Sequence, residues 1–131
     1  MSHQITIYDE TLSGERTPSL SLDLLSATIT LRELIRRRVY EEVQDYNAST
    51  PEYFRGFVQP TDAERVLNGY RLKERKHIDW EAQYDRAIQS FLSNGFFVLV
   101  DDRQIEELDT EIELKIKTQI SFVKLVPLVG G

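Results

Sequence analysis

The stretch "ISFVKLVPLVGG", residues 120–131, decides the fold of this chain. Ile120 and Phe122 lie on one side of a strand, with Ser121 and Val123 on the other, the period-two pattern of β-structure. Val123 to Val126 finish that strand. Pro127 ends it, because proline has no N–H to give to a ladder. Leu128 and Val129 stay apolar, and Gly130 and Gly131 then carry no side chain at all. Termini usually fray in polar residues. With glycine near 7% of residues, a terminal glycine pair arises by chance in about 0.5% of chains.

Towards the N-terminus, "FFVLVDDRQI" (96–105) predicts a strand, a tight Asp101-Asp102 turn and a short return strand. "ELDTEIEL" (107–114) predicts a loop or a short strand. Before them, Asp79 is an N-cap for a helix over 80–93, with Tyr84, Ala87, Ile88, Phe91 and Leu92 as its apolar stripe. Asn94-Gly95 closes that helix. At the other end of the chain, "QITIYDET" places Ile5 and Ile7 on one face of a strand. "LSLDL" places Leu20, Leu22 and Leu24 on one face of a second. "LSGERTPS" (12–19) is the loop between them, so the pair forms a hairpin.

Thr30-Leu31-Arg32-Glu33 is a capping box and starts a helix. Leu31, Leu34, Ile35, Val39 and Val43 recur at helical spacing, with Arg36–Arg38 and Glu41–Glu42 largely on the other side. Pro51 ends the helix after "YNAST". Residues 47–78 are irregular, with two prolines in "PEYFRGFVQP". Thr61-Asp62-Ala63-Glu64 is a second capping box and predicts a short helix through Leu67, stopped by Gly69.

A chain of 131 residues fits one domain, 1–131, with an insertion at about 47–95 and a flexible tail at 127–131. It has no cysteine, which excludes disulfides, thiolate metal sites and cysteine nucleophiles. The net charge of −6 argues against general nucleic-acid binding. The N-terminus shows neither a basic leader nor an apolar signal core, and "FFVLV" is too short to span a bilayer. A cytoplasmic protein with no membrane partner is the expectation.

Hairpin, helix, insertion, helix, short hairpin and final strand make an α+β layout. Four to five strands share a mixed sheet packed on an amphipathic helix. The final strand most economically lies parallel to the first in the sheet centre, which is the ubiquitin-like β-grasp arrangement. Here "TLRELIRRR", "FFVLVDDRQIEELDTEIEL" and "ISFVKLVPLVGG" resemble the ubiquitin-like sulfur carriers of molybdopterin synthase and thiamine synthesis. The matching positions are Val98–Val100, Asp101-Asp102, Leu108-Asp109-Thr110, Ile120–Leu125 and Pro127–Gly131. Lys117-Thr118 stands where that family usually has Gly-Asp. Residues 47–95 replace a short connection, which shifts the resemblance towards the modifiers of bacterial ubiquitin-like conjugation operons.

The resemblance implies a chain that is a substrate and not an enzyme. The Gly131 carboxylate is adenylated by a ubiquitin-activating-type partner, which holds ATP and Mg²⁺; this chain binds no cofactor itself. An amine on a target protein, or a sulfur donor, then takes the acyl group. Conjugating enzyme and peptidase are further partners. Gly130, Val129, Leu128 and Pro127 would be recognised in the partner's channel, where glycine adds no bulk beside the reacting carbonyl. A non-covalent β-grasp interaction module with an inert tail is the remaining alternative.

Other residues have weaker chemistry. Arg36-Arg37-Arg38 fits a solvated helix face better than an anion site. His77 and Asp79 with Glu74 and Glu81 make a poor metal set, so no metal is expected. Glu106, Glu107, Asp109, Glu111 and Glu113 fit either a solvated edge or a face for a basic groove. Val123 and Leu125 could form an apolar partner surface or be buried beneath the insertion. Tyr53, Phe54 and Phe57 are expected to pack together. No catalytic triad, P-loop or dinucleotide fingerprint is present.

Overall fold

The structure, a computed structural model, describes residues 3–74 and 76–125 and is α+β. Residues up to 34 together with those from 90 onward form one compact unit, and residues 35–89 form a second.

In the first unit, strand β1 (His3–Glu10) pairs antiparallel with β2 (Arg16–Leu24). Strand β6 (Phe96–Val100) turns back into β7 (Arg103–Ile105) through Asp101 and Asp102, whose φ values of 49° and 66° fit a primed hairpin turn. The last strand, β9 (Ile120–Lys124), lies between β1 and β6. It runs parallel to β1, with Ile7 opposite Ile120, and antiparallel to β6, with Phe122 opposite Val98. The result is a mixed five-stranded sheet in the order β2-β1-β9-β6-β7. With the two helices of the chain, this order is compatible with a β-grasp-like fold.

The alternation read from the sequence defines the buried face. Ile5, Ile7, Leu22, Leu24, Phe96, Val98, Ile120 and Phe122 are all buried. Phe96 stacks on Phe122 with centroids 5.7 Å apart and meets Phe91 edge-on at 5.7 Å. Each such side chain contributes about 1.5–3 kcal/mol by leaving water.

The loop expected at 12–19 is shorter than the spacing suggests, because β2 begins at Arg16 and includes Pro18. An edge strand tolerates a proline whose missing N–H faces away from the ladder. A bulge between Ile7 and Tyr8 absorbs Ser19, since Ile7 pairs with Leu20 and Tyr8 with Pro18. The Arg16 guanidinium lies 4.0 Å above the Tyr8 ring and donates to Gln119 Oε1 at 3.1 Å.

Helix α1 (Leu31–Ser49) starts where the capping box placed it: the Glu33 N–H donates to Thr30 Oγ1 at 3.1 Å. The Leu31 and Arg32 N–H groups are taken up by the Thr110 and Leu108 carbonyls. That contact continues into a small sheet in which β3 (Thr28–Thr30) pairs with β8 (Glu111–Glu113). Three residues are too few to show a period, so β3 had no sequence signal. Leu108, Ile112 and Leu114 are buried between the exposed acidic residues of that stretch.

The second unit holds the main corrections. The expected helix at 61–67 is a hairpin of β4 (Ala63–Val66) and β5 (Gly69–Leu72). Phe54 and Tyr70 exchange two backbone hydrogen bonds of 2.8 Å, giving β5 a partner on its other side. Gly69 has φ +131°, and a Cβ there would stand 2.6 Å from the Phe54 carbonyl oxygen. Tertiary pairing and a tight Leu67-Asn68 turn therefore override the capping-box pattern.

Arg38 is not on a solvated face; it is 1% exposed. Its Nε and Nη2 donate to Glu42 Oε2 at 3.4 and 3.3 Å, and its guanidinium lies 4.5 Å from the centre of the Phe57 ring. Glu42 Oε1 accepts the Phe57 N–H at 3.2 Å. Asn47 forms a two-way pair with the backbone of Ile78, and the buried Gln83 donates to the Val58 carbonyl. Glu42 and Gln83 tie the irregular 53–60 segment to both helices within this unit, and Asn47 ties α1 to Ile78. Helix α2 (Trp80–Leu92) is capped as expected, with the Glu81 N–H donating to Asp79 Oδ1 at 3.0 Å.

Of the three aromatics expected to pack together, Phe54 and Phe57 are buried and Tyr53 is half-buried, with Arg71 5.7 Å from its ring centre. Tyr46 meets Phe54 edge-on at 5.4 Å. The Tyr46 hydroxyl is buried and has no hydrogen-bond partner among the described residues. Removing a buried, unpaired hydroxyl costs nothing in hydrogen bonding and lifts a desolvation penalty of about 1–3 kcal/mol. Tyr46→Phe should leave the urea midpoint unchanged or raise it. A fall in the midpoint would reveal a partner for the hydroxyl.

Burial raises the Tyr70 phenol above its ordinary value, with Arg65 opposing and Glu42 adding to the rise. The folded state therefore holds the phenolic proton more tightly than the unfolded chain does. Its contribution is intact below about pH 10, the ordinary tyrosine value, and is lost as pH rises towards the folded value. Urea unfolding between neutral and strongly alkaline pH should show a smaller alkaline loss of stability in Tyr70→Phe than in the parent. Equal losses would show that Tyr70 does not contribute.

Candidate functional site at the end of the central strand

Two ladders hold β9. Its pairing with β6 closes at Lys124 opposite Phe96, and its pairing with β1 closes at Val123 opposite Glu10. One further hydrogen bond follows, from the Leu125 N–H to the Gly95 carbonyl at 3.2 Å. Gly95 belongs to the closing motif of α2. Asn94 takes the left-handed position with φ 62°, its N–H bonds the Phe91 carbonyl, and the Gly95 N–H bonds the Ser90 carbonyl at 2.7 Å. A Cβ on Gly95 would meet Ser90 Oγ at 2.4 Å and the Ser90 carbonyl oxygen at 3.1 Å. Glycine therefore lets the helix close against the residue that anchors Leu125.

Parallel pairing of β1 and β9 places the β1–β2 loop at the end of the sheet where β9 finishes. The α2–β6 connection reaches the same end, because Phe96 is opposite Lys124. Leu12 in that loop is 64% exposed and Leu92 is 59% exposed, while Leu125 is half-buried. Leu92 thus leaves the apolar stripe assigned to it: it is the last residue of α2. Leu12 had no signal of its own, since an isolated leucine in a polar loop carries no period.

Of the two residues set apart as a partner surface, Val123 is 3% exposed and is removed from it. A central strand is shielded on both sides. Val123 sits between Glu10 on β1 and Phe97 on β6, on the face opposite Phe122. Ser121 on the same face is also buried. Leu125 stays half-buried. Pro127, Leu128, Val129, Gly130 and Gly131, the remaining residues of the predicted site, lie outside the described residues, as does Val126.

The acidic residues 106, 107, 109, 111 and 113 are all exposed. Asp109 accepts from Arg32 at 3.2 Å, a solvent-facing pair worth at most about 1 kcal/mol. Asp101 takes part in the fold: its N–H bonds the Gln119 carbonyl and its Oδ1 accepts the Gln119 N–H, both at 2.9 Å. Twelve acidic and six basic residues fall in the first unit, against ten of each in the second. The whole net charge therefore belongs to the unit that carries β9. Asp79 caps α2 instead of joining His77, and no cluster of metal-ligating side chains occurs among the described residues. No described helix is long and apolar enough to cross a membrane. Arg36 lies over Trp80 at 5.1 Å and Arg37 pairs with Glu41 at 3.5 Å, so the three consecutive arginines have three separate surroundings.

No protein-family model, curated protein or solved structure matches this chain.

Proposed function

We propose that this chain is a ubiquitin-like protein modifier, activated at the carboxylate of Gly131 by a partner adenylating enzyme. One observation supports this most. The last strand lies in the centre of a mixed sheet, parallel to the first, and is followed in sequence by Pro127-Leu128-Val129-Gly130-Gly131. That order is compatible with a β-grasp-like fold and is joined in sequence to the Gly130-Gly131 pair. The exposed Leu12 and Leu92 belong to segments that come to the same end of the sheet.

In this scheme a carboxylate oxygen of Gly131 attacks the α-phosphorus of ATP on the partner. A P–O bond breaks, pyrophosphate leaves with Mg²⁺, and an acyl-adenylate remains. A cysteine thiolate of the partner displaces AMP and forms a thioester. A target amine then attacks the acyl carbon, forms an isopeptide bond and expels the thiolate. This chain supplies the acyl group and the surface by which it is recognised.

The test is to incubate the protein with adenylating enzymes of the ubiquitin-activating type, with ATP and Mg²⁺, and to follow pyrophosphate release and intact mass. An isopeptide to lysine supports the modifier. Replacement of a C-terminal oxygen by sulfur would make the chain a sulfur carrier instead. No pyrophosphate release with any such enzyme would leave a non-covalent interaction module and overturn the proposal.

A further inference from the structure

Among the described residues, strand β2 is an edge of the sheet and pairs with β1 on one side only. Edge strands are templates for pairing with another chain unless something blunts them. The first half of β2 is blunted by Pro18 and by the bulge opposite Tyr8. The second half, Leu20 to Leu24, contains no proline or bulge, and its one charged residue is Asp23. Leu22 and Leu24 are buried, Leu20 is half-buried, and Ser21 and Asp23 are exposed.

We infer that Leu20–Leu24 of β2 is the contact by which a second copy of this chain adds to the sheet, antiparallel and across a two-fold axis at Leu22. The segment is self-complementary in that register. Leu20 of one copy faces Leu24 of the other on the core side, and Ser21 of each faces Asp23 of the other on the solvent side. A serine hydroxyl donates to a carboxylate, so both polar pairs are favourable. The half-exposed Leu20 gains a neighbour. An axis at Asp23 would oppose two carboxylates. An axis between residues would set leucines against polar residues and turn the two cores to opposite faces. An axis at Ser21 would run Asp23 and Leu24 against the bulged Ser19 and Pro18, so Leu22 is the favoured centre of an isologous contact.

The opposite edge lacks this property. β7 has three residues, and its flanks carry Asp101, Asp102, Glu106 and Glu107, which would repel the same residues of a second copy. Each copy carries −6, all of it from the unit that holds β2, so association is weak at low salt and strengthens when salt screens the repulsion. Because β1 separates β2 from β9, the pairing leaves the end of β9 clear and does not rest on the function proposed above.

Sedimentation of the full chain up to about 1 mM, at low and high salt, tests this. The parent should show a weak monomer–dimer equilibrium that tightens with salt. Ser21→Asp sets a new carboxylate against Asp23 at both polar pairs and should weaken the dimer about tenfold; Ser21→Lys places an ammonium there and should tighten it about tenfold at low salt. Ser21 is exposed and pairs with Thr6 inside the chain, so circular dichroism should stay unchanged in both. A monomer at every concentration would overturn the inference. So would a dimer whose constant ignores both substitutions or moves the same way in each.

Discussion

Replacing Arg38 with alanine is expected to cost about 3–5 kcal/mol, the usual loss when one partner of a buried ion pair is removed. The total stability of a domain is about 5–15 kcal/mol, so this one change should remove a large share of it. The reason lies in Glu42, whose side chain is 11% exposed. Without the guanidinium, its Oε2 keeps the cost of leaving water and loses two charge-assisted hydrogen bonds. The Phe57 ring loses the cation stacked on it, and a cavity opens beside it.

Replacing both residues by apolar ones, as in Arg38→Met with Glu42→Leu, should cost less than Arg38→Ala alone. The pair then vanishes together, and about 1–3 kcal/mol remains for the Phe57 N–H that Glu42 had accepted. Urea unfolding of the two single variants and the double variant measures this. A single-variant loss below about 1 kcal/mol would show that water reaches Glu42 and that the pair behaves as a surface bridge.

The second large effect concerns the proposed activity. Deleting Gly131 should abolish pyrophosphate release with the cognate adenylating enzyme, a loss to background, while the urea midpoint stays unchanged. The chemistry needs the carboxylate at one distance from the recognised surface. Removing one residue draws it back by up to about 3.3–3.6 Å, more than a reacting geometry tolerates. The last described hydrogen bond after this strand belongs to Leu125, and the buried residues of the strand are Ile120, Ser121, Phe122 and Val123. Pyrophosphate release that survives the deletion would sink the proposal. Unfolding on deletion would make the terminal residues part of the fold.

Most of the first unit was legible in the sequence. Ile5, Ile7, Leu22, Leu24, Ile120 and Phe122 alternate over strands long enough to show a period, and Asp101-Asp102 supplies the turn. The Thr30–Glu33 box marked the start of α1 because capping is settled within one turn of chain. The second unit was not legible in the same way. Thr61–Glu64 satisfies the capping pattern, yet the Phe54–Tyr70 bridge makes that segment a hairpin. Arg38 was read as polar and therefore solvated, since nothing in the local sequence announces that Phe57 will cover it. The candidate site divides likewise. The diglycine end is plain in the sequence, whereas the burial of Val123 and the exposure of Leu12 and Leu92 depend on which strands and turns became neighbours.

By itself, then, the sequence determined the strands of the five-stranded sheet, the two helices with their caps, the Asp-Asp turn and the order that brings the last strand beside the first. Each of these depends on side-chain periodicity or on hydrogen bonds closed within a few residues. The tertiary structure alone decided the pairing of β3 with β8, the hairpin at 63–72, the burial of Arg38 on Glu42 and Phe57, and the covering of Val123. Those depend on contacts between residues far apart in the chain, where burial and pairing outweigh local preference by several kcal/mol.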